Sequence, residues 1–280
     1  MKKKILALPA LSWIIIFTVL PLFIIGFFSV SSGSGVAKIS LPFTLQNYKT
    51  FFEPIYLGVF SISLKLSLAS TLICLAAGYP AAYILAKKKA RTRSLLLMLI
   101  ILPQWTNFLL RTYAWMSILR DKGLINNLLL ALGVIDQPVK FLYSQGAVLM
   151  GMVYNFLPYM IIPVHNSLVK IDYRYIEAAK DLGADNMSVF KKVIFPLSSP
   201  GVVSGIIMVF LPAMSTFVIS DLLGGGQFML MGNLIQNQFL AARNWQFGSA
   251  ISQILIFIIL ISMIILDKYQ DKAGGGDKLW

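Results

Sequence analysis

Glu177-Ala178-Ala179-Lys180-Asp181-Leu182-Gly183, with Pro196 thirteen residues further on, is a mixed-charge, helix-forming stretch set in an otherwise apolar sequence. Its residue types suit docking rather than bond-making: charged side chains offer directional contacts to a protein surface, and the paired alanines let that surface come close. Reagents for catalysis are scarce. The chain has one cysteine, Cys74, and one histidine, His165. It holds no His-Glu-x-x-His motif, no paired intramembrane aspartates, no Gly-x-Ser-x-Gly, and no Gly-Lys pair from which a Walker A phosphate loop could be built. No catalytic residue and no metal site are expected. The other side chains with chemistry to offer are the Asp221 carboxylate and the aromatic faces of Trp105, Tyr113, Trp115, Tyr154 and Tyr159. Together these types suit a cation, each aromatic face contributing roughly 0.5–2 kcal/mol of cation–π attraction. The same aromatics fit interfacial belts or helix packing equally well, and an aspartate at the edge of an apolar segment is commonly just solvated.

These residues must be positioned by membrane helices. Hydrophobic residues make up 58% of the 280 and charged ones 12%, against about 25% charged in an ordinary soluble domain. Six stretches, residues 5–30, 57–86, 94–119, 144–169, 198–223 and 247–266, reach the length of roughly 20 residues that crosses a hydrocarbon core. Lipid cannot satisfy open backbone groups, so each is expected to be helical. The expected fold is all-α: a polytopic membrane protein forming a single transmembrane domain over residues 1–280. The first stretch follows three lysines but is longer than a signal-peptide core and lacks a small-x-small cleavage site, so it reads as a retained helix. Cys74, alone and inside the second span, excludes a disulfide framework.

The net charge of +13 does not point to nucleic acid, because its placement has a better explanation. With the N-terminus taken as cytosolic, sixteen of the lysines and arginines fall on the inner side and six on the outer, with Lys65 and Arg111 inside spans. The positive-inside rule puts both termini and the loop at residues 170–197 in the cytosol. Ionisable groups at the depth of Lys65 and Arg111 face protein or water; Arg111 is expected to pair with a carboxylate or carbonyls, and Lys65 to snorkel outward. His165 reads as a packing or hydrogen-bonding residue, and the Asn107 and Asn155 amides as interhelical hydrogen-bonders.

On a helical wheel Tyr175, Ile176, Ala179 and Leu182 share a face. Gly183 then supplies a stop, Asp185 can cap a second short helix with Met187, Phe190 and Ile194 as its apolar stripe, and Pro196 marks the turn back into the membrane. Two outer segments, residues 45–52 and 124–130, read as short surface helices. Pro103, Pro158, Pro163 and Pro212 each free a carbonyl inside a span, serving packing or a gated pathway.

The polar stretch resembles the EAA loop of the permease subunits of bacterial binding-protein-dependent ABC importers. That pattern is Glu-Ala-Ala, three residues, Gly, nine residues, Ile, one residue, Leu-Pro; Glu177, Ala178, Ala179, Gly183 and Pro196 match in register, while Val193 and Phe195 replace the isoleucine and leucine. Six spans with cytosolic ends resemble the type I importer permease fold over nearly the whole chain. The phrases Leu102-Pro103-Gln104-Trp105-Thr106-Asn107, Arg111-Thr112-Tyr113-Ala114-Trp115 and Asp221-Leu222-Leu223-Gly224-Gly225 look like those of spermidine/putrescine permeases. The resemblance implies that residues 170–197 carry cytosolic coupling helices that seat in an ATPase dimer, with Glu177 and Asp181 as polar contacts and Gly183 making the turn. It implies that ATP and Mg are bound by that partner and no cofactor by this chain. It further implies a second permease subunit, an extracytoplasmic polyamine-binding protein and a place in the cell membrane. The same frame could carry an anion, ferric ion or another organic solute. A self-sufficient secondary carrier should show internal repeats and intramembrane coupling carboxylates, neither of which the sequence offers.

Overall fold

The computed structural model describes residues 12–33, 35 and 40–272; residues 5–11 of the first expected span and the Gly274-Gly275-Gly276 run lie outside them. Helices dominate: α1 Ser12–Val30, α2 Gln46–Phe51, α3 Pro54–Ala86, α4 Ala90–Ile101, α5 Phe108–Leu119, α6 Leu124–Ala131, α7 Gln145–Val169, α8 Tyr173–Asp181, α9 Asn186–Ser215, α10 Val218–Gly224, α11 Met231–Leu240 and α12 Trp245–Lys272. A small antiparallel ribbon joins β1 (Ser31–Ser32) to β2 (Ser40–Phe43). The short helices expected near residues 45–52 and 124–130 are α2 and α6.

Among the described residues, five helices are long and apolar enough to cross a membrane: α1, α3, α7, α9 and the Trp245–Leu266 part of α12. The third expected span, residues 94–119, is not one continuous helix. Ala90–Trp105 and Phe108–Ala131 meet at 91°, and only as a bent pair do they make a sixth crossing. Proline chemistry and a cap explain the break. Pro103 lacks an N–H, and the chain tightens into a 3₁₀ turn over Leu102–Trp105. Thr106 is extended, its hydroxyl donating to the Pro103 carbonyl at 2.7 Å, and the Asn107 side chain accepts the Leu109 N–H at 2.8 Å as the N-cap of α5. Asn107 therefore starts a helix rather than bridging two.

The fifth span also departs from expectation. Its helix begins at Asn186, passes through Pro196 and ends at Ser215, with α10 a separate piece beyond. Pro196 does not turn the chain. A π turn over Phe190–Ile194, closed by the Phe195 N–H on the Phe190 carbonyl, widens the helix just before the proline and takes up its missing donor without a break. Pro158 and Pro163 likewise sit inside continuous α7, and Pro200 and Pro212 inside α9.

The chain divides into two compact units, Met1–Ser61 with Met231–Leu260, and Ile62–Leu230 with Ile261–Trp280. The first is held by aromatic edges. Phe28 and Phe239 each lie 5.9 Å from the Trp245 ring, and Tyr56 lies 4.8 Å from Phe247. The Asn47 amide donates to the Ser29 and Ser31 carbonyls, tying α2 to the end of α1.

The second unit is built on α7 and α9. Lipid supplies no hydrophobic drive between helices, so close approach of small residues matters most. A Cβ on Gly201 would lie 2.5 Å from the Pro163 carbonyl oxygen, and one on Gly205 would lie 2.6 Å from Met160 Sδ. On α3, Gly78 faces Met160 and the Tyr79 hydroxyl meets Ser198 Oγ at 2.8 Å. A buried stripe of Ser63, Ser67, Ser70, Thr71 and Cys74 runs along the same helix, where Ser67, Ser70 and Thr71 bond back to α3 carbonyls. Cys74 is thus a packing residue. Gly201→Ala is expected to cost about 1–3 kcal/mol by overpacking against rigid backbone, whereas Gly58→Ala, which meets open space, leaves the thermal midpoint of the detergent-solubilised chain unchanged or higher.

Candidate functional site

The polar stretch folds into an elbow between α8 and α9. Asp172 caps α8 by accepting the Arg174 N–H at 3.0 Å. The helix closes as the Gly183 N–H meets the Lys180 carbonyl and the Ala184 N–H meets that of Ala179, a Schellman stop that needs left-handed backbone at Gly183, whose φ is 80°. Asp185 then accepts the Ser188 N–H at 3.2 Å and caps α9. Hydrogen bonding from the Ser188 side chain, and then from its backbone N–H, holds the Asp185 carboxyl below the usual carboxylate range. Gly183 and Asp185 thus take the parts their types predicted.

The apolar face of α8 is narrower than the wheel suggested. Ile176 and Ala179 pack against the core, whereas Tyr175 is exposed and Leu182 is 89% exposed. The reason is geometric: one helix ridge meets the core through positions three apart, leaving Tyr175 on the flank and Leu182 beyond the last helical turn. In α9, Val189 and Ile194 are buried while Met187 is exposed. Glu177, Ala178 and Asp181 all face outward. The elbow therefore presents a mixed surface in which the Glu177 and Asp181 carboxylates and Ala178 lie among the exposed Tyr173, Tyr175, Leu182 and Met187. Pro196 is exposed too, but inside α9.

The six solute-facing candidates do not converge. Trp115 and Tyr154 pair edge to face at 5.2 Å. Trp105 is 77% exposed beside the break before α5, and Tyr113 and Tyr159 are exposed on α5 and α7; among the described residues none of these three has a ring partner. Asp221 is exposed on α10. Near the Trp115–Tyr154 pair in sequence lies a polar cluster whose key member, Gln104, escaped the sequence reading. Arg111 donates to Gln104 Oε1 at 2.6 Å, and Gln104 Nε2 donates to the Asn155 carbonyl at 3.4 Å. Arg111 thus takes a carbonyl-type partner, while the Asn155 amide bonds its own helix at Gly151. Gln104 and Arg111 are seven residues apart across a broken helix, and the i, i+3 and i, i+4 neighbours that helical spacing brings into contact do not include the pair. Lys65 is exposed. His165 is buried with Nδ1 3.2 Å from Asn166 Oδ1. No group of three metal-ligating side chains forms among the described residues.

A family model described as "Binding-protein-dependent transport system inner membrane component" matches residues 78–273. The chain belongs to this family. It is 40% identical over 96% of its length to the spermidine/putrescine transport system permease protein PotB of Haemophilus influenzae, covering 93% of that protein. It is 42% identical over 90% of its length to the PotB of Escherichia coli, covering 92% of it. Among solved structures, a bacterial ABC transporter importing the acidic polysaccharide alginate superposes with a TM-score of 0.77 at 16% identity, over 96% of this chain and 94% of that one. The MetNI methionine ABC transporter does so at 0.55 and 18%, over 78% of this chain and 95% of that one. These likenesses establish the fold of an ABC importer permease, a multi-pass membrane protein.

Because the folded Asp185 carboxyl titrates below its unfolded value of about 3.9, its cap stabilises α9 at any pH above that value and is lost as pH falls through the lowered one. Amide exchange should show Ser188 protected from pH 7 down to about 4 and progressively less protected as pH falls further through the lowered value, with the protection absent at pH 7 in Asp185→Ala.

Proposed function

We propose that this chain is the transmembrane permease subunit of an ATP-driven polyamine importer, forming half of the translocation pathway for spermidine and putrescine. The observation that carries this reading is the identity of 40% and 42% with two proteins named as spermidine/putrescine permeases, sustained over nine-tenths or more of the chain. The subunit itself is non-catalytic. Its partners are an ABC ATPase dimer on the cytosolic face, a second permease chain, and an extracytoplasmic binding protein that delivers the polyamine. Both termini lie in the cytosol, in keeping with the distribution of Lys and Arg.

The elbow is the coupling element. Glu177 and Asp181 supply polar contacts to the ATPase, the outward-facing Ala178 permits close approach while Ala179 seats α8 on the core, Gly183 sets the angle, and Pro196 lies in the helix that carries motion onward. Because α9 runs unbroken from the elbow into the membrane, a displacement of α8 reaches the α7–α9 contact through one helix. ATP favours the state in which the ATPase subunits close, and the solute is moved because that closure and the pathway share two arrangements. Along the pathway the Trp115–Tyr154 pair, with Trp105, Tyr113 and Tyr159, offers π faces to ammonium groups. Asp221 supplies a carboxylate. Arg111 has the wrong sign for a polyamine, so further acidic contacts come from the second permease chain.

In the complex reconstituted in liposomes, polyamine should stimulate ATP hydrolysis while sulfate does not. Glu177→Lys should lower uptake per ATP hydrolysed. Gly183→Val forces a branched residue into left-handed backbone at a cost of about 1–2 kcal/mol, and uptake should fall about 5–30-fold. Wild-type uptake and stoichiometry in both variants would remove the coupling role. Stimulation by sulfate in place of polyamine would remove the substrate.

A further inference from the structure

We propose that the basic pocket beneath α8 binds a phosphate-bearing anion, and that its occupant is the headgroup of an anionic phospholipid. Two adjoining cavities of about 340 and 480 Å³ share Tyr83, Lys87, Tyr173, Ile176 and Ile194 as lining. Arg93 adds a second cation to one and Lys180 a third to the other, yet no carboxylate lines either. Among the described residues none of these three cations has an ion pair. Like charges gathered around a concavity without a counter-charge repel one another and raise the local concentration of anions.

The pocket is also organised. Lys87 Nζ stands 4.0 Å from the centroid of the Tyr83 ring, another lining residue, which holds the ammonium by cation–π attraction. Tyr173 and Asn186 add neutral polar groups. The floor is apolar where α3 and α7 end, at Ala86 and at Leu168 and Val169. A ligand seated here keeps its charge against the lysines and its apolar part along the ends of two membrane-spanning helices, the disposition of a phospholipid at the membrane boundary. A free phosphate would meet the same cations but leave the floor unused.

The test uses the full chain in neutral detergent, with native mass spectrometry reading retention of dioctanoyl phosphatidylglycerol or dioctanoyl phosphatidylcholine. The wild-type chain should retain the anionic lipid preferentially. Lys87→Gln with Arg93→Gln should weaken that retention about tenfold or more, and Lys180→Gln less, about threefold. Lys88→Gln with Lys89→Gln removes equal charge from neighbouring positions that do not line the pocket, and should change retention by no more than about twofold. Displacement of the lipid by millimolar inorganic phosphate would keep the site and assign it to a soluble phosphate. Equal retention of the two lipids, or equal loss in the two double variants, would overturn the proposal.

Discussion

The contact of α9 on α7 across Gly201 and Gly205 is the constraint on which the second unit rests. In a membrane, helices gain little by hiding apolar surface from one another, since lipid is as apolar as they are. What they gain is dispersion between backbones brought close enough to touch, and this requires positions without a Cβ. At Gly201 the space that a methyl group would occupy is taken by the Pro163 carbonyl oxygen. The same helix that is clamped there extends outward, without a break, to Asn186 and the elbow. Position of the elbow and packing of the span are therefore one mechanical property. A lever joined to its fulcrum by continuous helix transmits displacement that a two-residue turn at Pro196 would have absorbed.

Rigidity at α9 contrasts with the break before α5. There the backbone leaves the helix at Pro103–Asn107, and the groups it frees are met locally: the Thr106 hydroxyl takes the Pro103 carbonyl, Asn107 takes the Leu109 N–H, and Gln104 bridges Arg111 to the α7 backbone at Asn155. Irregular backbone at membrane depth is tolerated only where protein or a water-lined cavity satisfies it. The Arg111 guanidinium is held by an amide oxygen rather than a carboxylate.

Much of the elbow could be read from residue types, because its geometry is local. A glycine that must be left-handed and an aspartate that must accept a nearby N–H act within four residues, and Gly183 and Asp185 do what their positions implied. Likewise, hydropathy located α3, α7 and the membrane part of α12 within a few residues. The misreadings share a cause, which is dependence on more than local spacing. Whether Pro196 ends a helix depends on the π turn before it; whether Pro103 kinks or breaks one depends on the cap four residues later. The split of Tyr175 and Leu182 from Ile176 and Ala179 depends on how much of α8 the core can reach. Gln104 pairs with Arg111 only because the helix between them is bent by 91°.

The account turns on the elbow being the surface that the ATPase covers. Cys74 is the single cysteine and is fully buried, so one introduced cysteine reports its own environment with little background. The direct measurement is the maleimide labelling rate of Ala178→Cys in the chain alone and in the assembled complex, beside Leu124→Cys on α6. Ala178→Cys should label readily in the free chain and become protected on assembly with the ATPase, while Leu124→Cys labels equally in both. Unchanged labelling of Ala178→Cys in an assembled, ATP-hydrolysing complex would contradict the account.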